Sequence, residues 1–155
     1  MKTSIALLCL AWTIAAHGTG SSTEVQVARL WYEAFNTKDV AIIDRIVDDQ
    51  WVDIPSPPGT LPGPQTLRNT FVALTTAFPD LHLEIEDVIQ DGSKVVVRSN
   101  ITGTQAKDLF GMASKGRRLS IQAVDIHEIR DGKIVRTWHT EDWMTGLRQL
   151  GVTGP

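Results

Sequence analysis

The chain carries almost no cysteine and no large excess of either charge. Its 155 residues include one cysteine, Cys9, and 15 basic against 18 acidic residues, for a formal net charge of −3. A single cysteine cannot form an internal disulfide framework. The mild acidic excess argues against a nucleic-acid-binding platform and against a basic surface for anionic membranes. Because 42% of the residues are hydrophobic, the chain is also too apolar to be disordered. The composition indicates one small globular domain.

Several familiar catalytic motifs are missing from the sequence. There is no G-x-S-x-G nucleophile motif, no glycine-rich phosphate-binding loop and no H-E-x-x-H zinc motif. His139 and Glu141 stand two apart and could ligate a metal with one further residue, but no third residue has a supporting spacing, so we predict no metal site. Two possibilities remain: acid–base catalysis without a cofactor, and ligand binding without catalysis.

Residues 1–20 have the pattern of a secretory signal peptide. A positively charged start is followed by an uncharged apolar run from Ile5 to Ala16, and small residues precede a cleavage site after Gly18. The run is shorter than the roughly 20 apolar residues that a membrane-spanning helix requires. An uncleaved tail or a misassigned start codon is the alternative interpretation.

Cleavage at this site would change the composition of the working domain, which we place at residues 21–155. Loss of Lys2 and Cys9 would leave 14 basic and 18 acidic residues, and therefore a net charge of −4 and no thiol. A thiol-free domain is compatible with an oxidising compartment. We therefore expect an exported protein, periplasmic or secreted, with no nucleic-acid partner and no membrane association after cleavage.

The first half of the domain has the apolar spacing of helices. Helices are predicted over about 22–36, where a serine and a glutamate form a capping box, over about 40–48, and from Pro64 to Phe78. Between the second and third helices lie a brief extended piece, Trp51–Ile54, and a surface loop; the stretch from Pro55 to Pro64, which ends at the start of the third helix, holds five of the seven prolines.

The second half alternates apolar and polar residues, as half-buried strands do. Two hairpins are predicted, the first turning through a three-residue loop at 91–93 and the second pairing 118–130 with 133–143. A short helical turn at about 144–150 ends the domain. Helices followed by strands predict an α+β fold: a cone-shaped, curved, four-stranded antiparallel sheet with the N-terminal helices packed on its concave face. A pocket is expected between sheet and helices.

The second hairpin contains the candidate chemistry. With a two-residue turn at Asp131-Gly132, Asp125 pairs with Trp138, and Asp125, His127 and Asp142 share a largely apolar face. Burial there would raise the pKa of a carboxyl and suit it to proton transfer near neutral pH.

Each of these side chains also has a structural interpretation. Asp142 could cap the following helix, His127 could be a buried sheet histidine with satisfied hydrogen bonds, and Asp125 could bond to Arg136 or to an indole. A one-residue slip in the hairpin would instead pair Glu128 with Arg136 as a surface ion pair.

Four further residues complete the predicted pocket around Asp125. Trp51 and Trp138 are expected to line it, although tryptophans belong more often to a core than to a ligand-binding surface. Phe110 and Met112 lie in a loop with flanking glycine, and we predict that they form a flexible lid.

A series of short motifs, in a fixed order over about residues 24–151, resembles the SnoaL-like polyketide cyclase (ester cyclase) family. The motifs are Trp51-Val52-Asp53, Pro57-Pro58-Gly59, Phe78-Pro79-Asp80-Leu81, Gly103-Thr104, Asp131-Gly132-Lys133-Ile134, Trp138-His139-Thr140-Glu141-Asp142 and Leu147-Arg148-Gln149-Leu150-Gly151. The resemblance implies the α+β cone shared with ketosteroid isomerase and nuclear transport factor 2. It also implies homo-oligomers, dimers or tetramers, built on the outer face of the sheet, a small-molecule substrate, and no metal or organic cofactor.

The resemblance further implies a reaction. In this family an aspartate on the last strand acts as general acid/base for an intramolecular aldol closure, and Asp142 is the matching position, with His127 as the assisting histidine. Two departures are Ile54, where many relatives have histidine, and the signal peptide, since polyketide closure is a cytosolic task. We therefore expect a cofactor-free cyclase or isomerase acting on an apolar carbonyl compound. A secreted binding protein of the same fold, or water activation as in an epoxide hydrolase, is the alternative.

Overall fold

The structure, a computed structural model, describes residues 21–152, so the predicted signal peptide lies outside the described residues. Within this range the chain forms four helices and five strands. In chain order they are α1 (Thr23–Thr37), α2 (Val40–Ile46), β1 (Val47–Ile54), α3 (Gln65–Ala77), β2 (His82–Asp91), β3 (Lys94–Thr104), β4 (Arg118–Arg130), β5 (Lys133–Glu141) and α4 (Trp143–Leu150). The predicted α+β class and the three N-terminal helices are confirmed. In the described part of the chain, no helix is long and apolar enough to span a membrane.

Side-chain caps set the starts of the first two helices. The Ser22 hydroxyl accepts a hydrogen bond from the Val25 N–H at 3.2 Å, and the Asp39 carboxylate accepts from the Ala41 N–H at 3.0 Å. Each cap satisfies a backbone donor that has no partner within the helix. The apolar face of α1 is buried, Tyr32 to 1% exposure, and points toward the sheet.

The sheet has five strands rather than the predicted four, in the order β1-β5-β4-β3-β2. The extended piece around Trp51 belongs to an eight-residue strand that pairs with β5 in parallel, so the sheet is mixed and not purely antiparallel. Parallel partners are far apart in the sequence and joined by no tight turn, so no local pattern announces the pairing. The curved sheet and the helices on its concave face otherwise match the expected cone.

The first hairpin turns through two residues, not the predicted three, and pairs Asp91 with Lys94. Ile89 consequently faces Val96 and is 59% exposed. A β-bulge between Ile85 and Asp87 then inserts one residue and places Ile85 opposite Ser99, the pairing that a three-residue loop at 91–93 would also give.

The second hairpin departs from the predicted pairing in a way that decides the site. Its two-residue turn pairs Ile129 with Ile134 as predicted, but the next pair is Glu128 with Arg136. Val135 is therefore an extra residue on β5, and each later β5 side chain lies on the face opposite to the one predicted, because side chains alternate along a strand.

The bulge has a physical reason on the outer face of the sheet. Glu128 is only 7% exposed and is paired with Arg130 at 2.5 Å and with Arg136 at 3.2 Å. Trp138 lies on the same face, with Lys94 and Arg136 over its ring at 5.2 and 5.4 Å. The hairpin therefore has the one-residue slip considered above as the alternative, in which Glu128 pairs with Arg136.

Candidate functional site

A cavity of about 380 Å³ lies between the concave face of the sheet and helices α1, α3 and α4. Most of its wall is apolar. The apolar lining includes Trp31, Phe35, Trp51, Leu67, Leu74, Phe78, Leu81, Leu83, Ile101, Phe110, Met112, Leu119, Trp143 and Leu147. A volume of this size suits a small organic molecule whose surface is largely hydrophobic.

Four titratable side chains line the cavity: Asp53 from β1, Asp125 from β4, and His139 and Glu141 from β5. No lysine or arginine is among the described residues of the lining. Because β1, β5 and β4 are adjacent in the sheet, these four groups lie on one side of the cavity. Within residues 21–152, no three histidine, cysteine, aspartate or glutamate side chains are arranged to hold a metal ion.

Asp125 is the most buried of these acids, at 7% exposure. The Tyr32 hydroxyl donates a hydrogen bond to its Oδ2 at 2.6 Å. Desolvation raises the pKa of Asp125 to about 6, with the negative charges of Glu141 and Asp53 adding to the rise and the Tyr32 bond and His139 opposing it. Asp125 is therefore a carboxylate that can take up and return a proton near neutral pH.

His139 is the direct cross-strand partner of Asp125. Its Nδ1 lies 2.9 Å from Asp53 Oδ1, and since an ionised carboxylate can only accept, the hydrogen is on Nδ1. This bond is the main reason why the pKa of His139 is raised, against the opposing effect of burial. The arrangement orients the imidazole and leaves Nε2 without a protein partner among the described residues.

Glu141 follows on the same face, opposite Ala123. Its Oε2 accepts a hydrogen bond from Trp143 Nε1 at the start of α4. This bond joins the last strand to a helix that forms part of the cavity wall.

Asp142 does not reach the cavity, and the prediction that it shares a face with Asp125 is wrong. It is exposed and lies just beyond the end of β5, where its carboxylate caps α4 by accepting from the Thr145 N–H at 3.0 Å. Hydrogen bonding by the Thr145 side chain, and then by its backbone N–H, lowers the pKa of Asp142. The capping interpretation is therefore the one that the structure shows.

His127 is on the concave face but beneath the cavity wall rather than in it. It is completely buried, and the ring of Trp31, which does line the cavity, packs against it at 5.1 Å. Burial lowers the pKa of His127 to about 3, so the imidazole is neutral. His127 is therefore not among the residues that line the cavity, and the assisting role that the resemblance implies for it stays a prediction.

Of the five predicted pocket residues, Trp51, Phe110, Met112 and Asp125 line the cavity. Trp138 does not, because the bulge places it on the outer face. Phe110 is 68% exposed and has a φ of 47°, in the left-handed region that an aromatic residue seldom adopts. The lid role of its loop stays a prediction.

Sequence reasoning missed the acid–base roles open to Asp53 and His139, and the contribution of Tyr32. The available signal was the spacing of His139 and Glu141, which places two titratable groups on one face of a strand. The predicted pairing of Asp125 with Trp138 places His139 and Glu141 on the opposite face, because nothing in the local sequence marks the bulge at Val135.

The chain forms an α+β cone around a mostly apolar cavity with acidic and imidazole groups on one wall. This architecture is typical of proteins that act on small molecules, and comparison with known proteins identifies the family within that class. The sequence profile of the SnoaL-like polyketide cyclase family matches residues 25–150, and the chain belongs to this family.

Individual relatives are similar over most of their length. The chain is 28% identical over 141 residues to aklanonic acid methyl ester cyclase DnrD of Streptomyces peucetius, covering 86% of this chain and 94% of the relative. It is 27% identical over 141 residues to the corresponding cyclase DauD of Streptomyces sp. strain C5, covering 86% and 85%. Among solved structures, TsrD from Streptomyces laurentii superposes with a TM-score of 0.78 at 26% identity, covering 84% of this chain and 96% of that one.

Proposed function

We propose that this protein catalyses an aldol-type ring closure of an apolar, carbonyl-bearing small molecule, without a cofactor. Asp125 accepts the proton and His139 donates one. The observation that carries the proposal is the cross-strand pair itself: a buried carboxylate bonded to Tyr32, directly opposite an imidazole bonded to Asp53, on the wall of an apolar cavity.

The protonation states support this assignment of roles. With a pKa of about 6, Asp125 is mostly ionised at neutral pH and is available as a base. The pKa of His139 is raised, chiefly by the hydrogen bond to Asp53, which favours the imidazolium form that a proton donor needs. Each group favours the charged form of the other, because their coulombic interaction lowers the pKa of Asp125 and raises that of His139.

The reaction can be written with atoms and charges balanced. Asp125 removes a proton from a carbon alpha to a carbonyl, and the resulting enolate attacks a second carbonyl of the same molecule. One carbon–carbon bond forms, and the new alkoxide takes a proton from the His139 imidazolium. The product is a cyclic isomer of the substrate. Return of the proton from Asp125 to His139 restores the starting state.

The cavity suits such a substrate. Its apolar wall favours a hydrophobic ring system, and the imidazolium would stabilise the oxyanion against that wall. Two curated relatives are named aklanonic acid methyl ester cyclases, which makes aklanonic acid methyl ester the first compound to test.

The decisive experiment compares Asp125→Asn with Asp142→Asn. Purified protein is incubated with aklanonic acid methyl ester, ring closure is followed by liquid chromatography and mass spectrometry, and exchange of alpha protons is followed in deuterium oxide. We expect D125N to lose at least roughly 100-fold in rate, whereas D142N, altered at an exposed helix cap, keeps the wild-type rate per folded molecule.

Cyclisation by D125N at the wild-type rate would overturn the assigned base. Binding of the ester by the wild-type protein without exchange or closure would show instead a binding protein of the same fold.

A further inference from the structure

Five buried side chains form a continuous path that begins at Trp51 and ends on Asp125, and the three between them lie behind the cavity wall. Trp51 Nε1 donates to Thr137 Oγ1 at 3.0 Å, and Thr137 Oγ1 lies 3.1 Å from His127 Nδ1. His127 Nε2 lies 3.5 Å from the Tyr32 hydroxyl, which donates to Asp125 at 2.6 Å. None of these five residues is more than 8% exposed.

The chemistry of the donors gives this path a direction. An indole N–H can only donate, so Thr137 accepts from Trp51 and retains one hydroxyl hydrogen to give. Among the described residues, the only other partner of Thr137 Oγ1 is His127 Nδ1. Nδ1 must therefore accept, and the single hydrogen of the neutral imidazole is on Nε2.

That tautomer restricts Tyr32. With a hydrogen on His127 Nε2 directed at the phenol oxygen, the Tyr32 hydroxyl cannot donate to the histidine, and its own hydrogen is held on Asp125. The opposite tautomer would present a lone pair to Tyr32 and offer the hydroxyl hydrogen a second acceptor. It would also leave the Thr137 hydroxyl hydrogen buried without an acceptor, which is costly.

We propose that Thr137 and His127 are positioning residues, which fix the direction of the Tyr32 hydroxyl so that its hydrogen stays on Asp125. The inference rests on the proposed function, since it explains how the base is held in a usable state. Neither residue contacts the cavity; both act through Tyr32.

No other group around Asp125 in residues 21–152 donates a hydrogen bond that could replace the one from Tyr32. The facing titratable side chains are His139 and Glu141 on β5 and Asp53 on β1, and the partner on β3 is the apolar Val97. The Tyr32 bond is thus the only hydrogen bond to the Asp125 carboxylate within the described part of the chain. Weakening it leaves burial and two negative charges to raise the pKa of Asp125 further.

The first test is the tautomer of His127, read from ¹⁵N chemical shifts and long-range ¹H–¹⁵N correlations of the wild-type protein. We expect the hydrogen on Nε2. A hydrogen on Nδ1 would overturn the proposal without any variant being made.

The second test measures the pKa of Asp125 by ¹³C NMR of its carboxyl group in Thr137→Val and Thr137→Ser. Valine has nearly the shape of threonine but no hydroxyl, so we expect the pKa to rise by roughly one unit, because hydrogen bonds to charged groups contribute about that much. Serine keeps the hydroxyl and should restore the wild-type value. An unchanged pKa in T137V would contradict the proposal.

These measurements need no substrate. Failure of the proposed reaction, seen as full activity of D125N, is therefore distinguishable from failure of the positioning network, seen in the tautomer or in the T137V titration.

Discussion

Asp125 and His139 lie directly opposite each other on β4 and β5, and each is held from behind by a different element. Tyr32 of α1 donates to the carboxylate, and Asp53 of β1 accepts from the imidazole. The two side chains are therefore preorganised before any ligand binds, and the sheet and the helix layer both contribute.

The rate should depend on pH as a bell-shaped curve. Protonation of Asp125 removes the base, so kcat/KM should fall as the pH drops through about 6, its pKa. Loss of the proton from His139, whose pKa is raised above 6.5, should lower the rate on the alkaline side. The check is kcat/KM for ring closure over about pH 5 to 9. A flat profile over that range would contradict the assignment of both groups.

Asp53→Asn should move the alkaline limb of that profile to lower pH. The hydrogen bond and the charge of Asp53 raise the pKa of His139. With a neutral amide in its place, the pKa of His139 should be lower and less imidazolium should be present at neutral pH. The rate near neutrality should drop roughly 10- to 100-fold, since the imidazole also loses its fixed orientation. Asp49→Asn, at an exposed carboxylate of the same strand, is the matched control. An alkaline limb that stays in place would refute this role of Asp53.

Acidification should destabilise the fold through His127. Its folded-state pKa of about 3 lies below the ordinary value of 6.5, so the unfolded chain binds the additional proton. Stability should therefore fall by several kcal/mol as the pH drops from 6.5 toward 3. Asp125 acts in the opposite sense between 3.8 and about 6, because its folded-state pKa is raised, but its shift is smaller.

Urea denaturation across this pH range would measure the effect. His127→Gln should flatten the dependence of unfolding free energy on pH, whatever its stability at neutrality. The exposed histidine of β2 provides the control, and His82→Gln should keep the wild-type slope. Equal slopes for H127Q and wild type would show that His127 is not the group responsible.

Oligomers built on the outer face of the sheet remain a prediction. That face carries Val124, which is 39% exposed and lies opposite Thr140, while Trp138 lies opposite Ile126. We expect light scattering after size-exclusion chromatography to give the mass of a dimer or tetramer, and Val124→Asp to reduce it. Val72→Asp, at a 57% exposed valine of α3, should leave the mass unchanged. A monomeric wild-type protein would contradict the prediction.

Export is tested at the N-terminus. Mass spectrometry of the protein from its native host should find a chain that begins at Thr19, after cleavage behind Gly18, in the periplasm or the medium. An intact Met1 on cytoplasmic protein would refute the predicted signal peptide.

The helices and the two hairpins could be predicted because their signals are local. Ser22 and Asp39 cap helices within three residues of themselves, and the turns at residues 92–93 and 131–132 are short. The parallel pairing of β1 with β5 could not be predicted in this way, since Asp53 and Thr137 pair across 84 positions of the sequence with no turn between them. The family could be recognised because its motifs keep their order along the chain.

The α+β class and the presence of ionisable groups in the last hairpin follow from the sequence, because periodicity and capping are properties of neighbouring residues, and an apolar pocket could be predicted from them. The tertiary structure alone decided which of those groups face the cavity. One extra residue at Val135, accommodated where Glu128 pairs with Arg136, reverses the faces of the rest of β5. It brings His139 to Asp125 and leaves Asp142 as a helix cap.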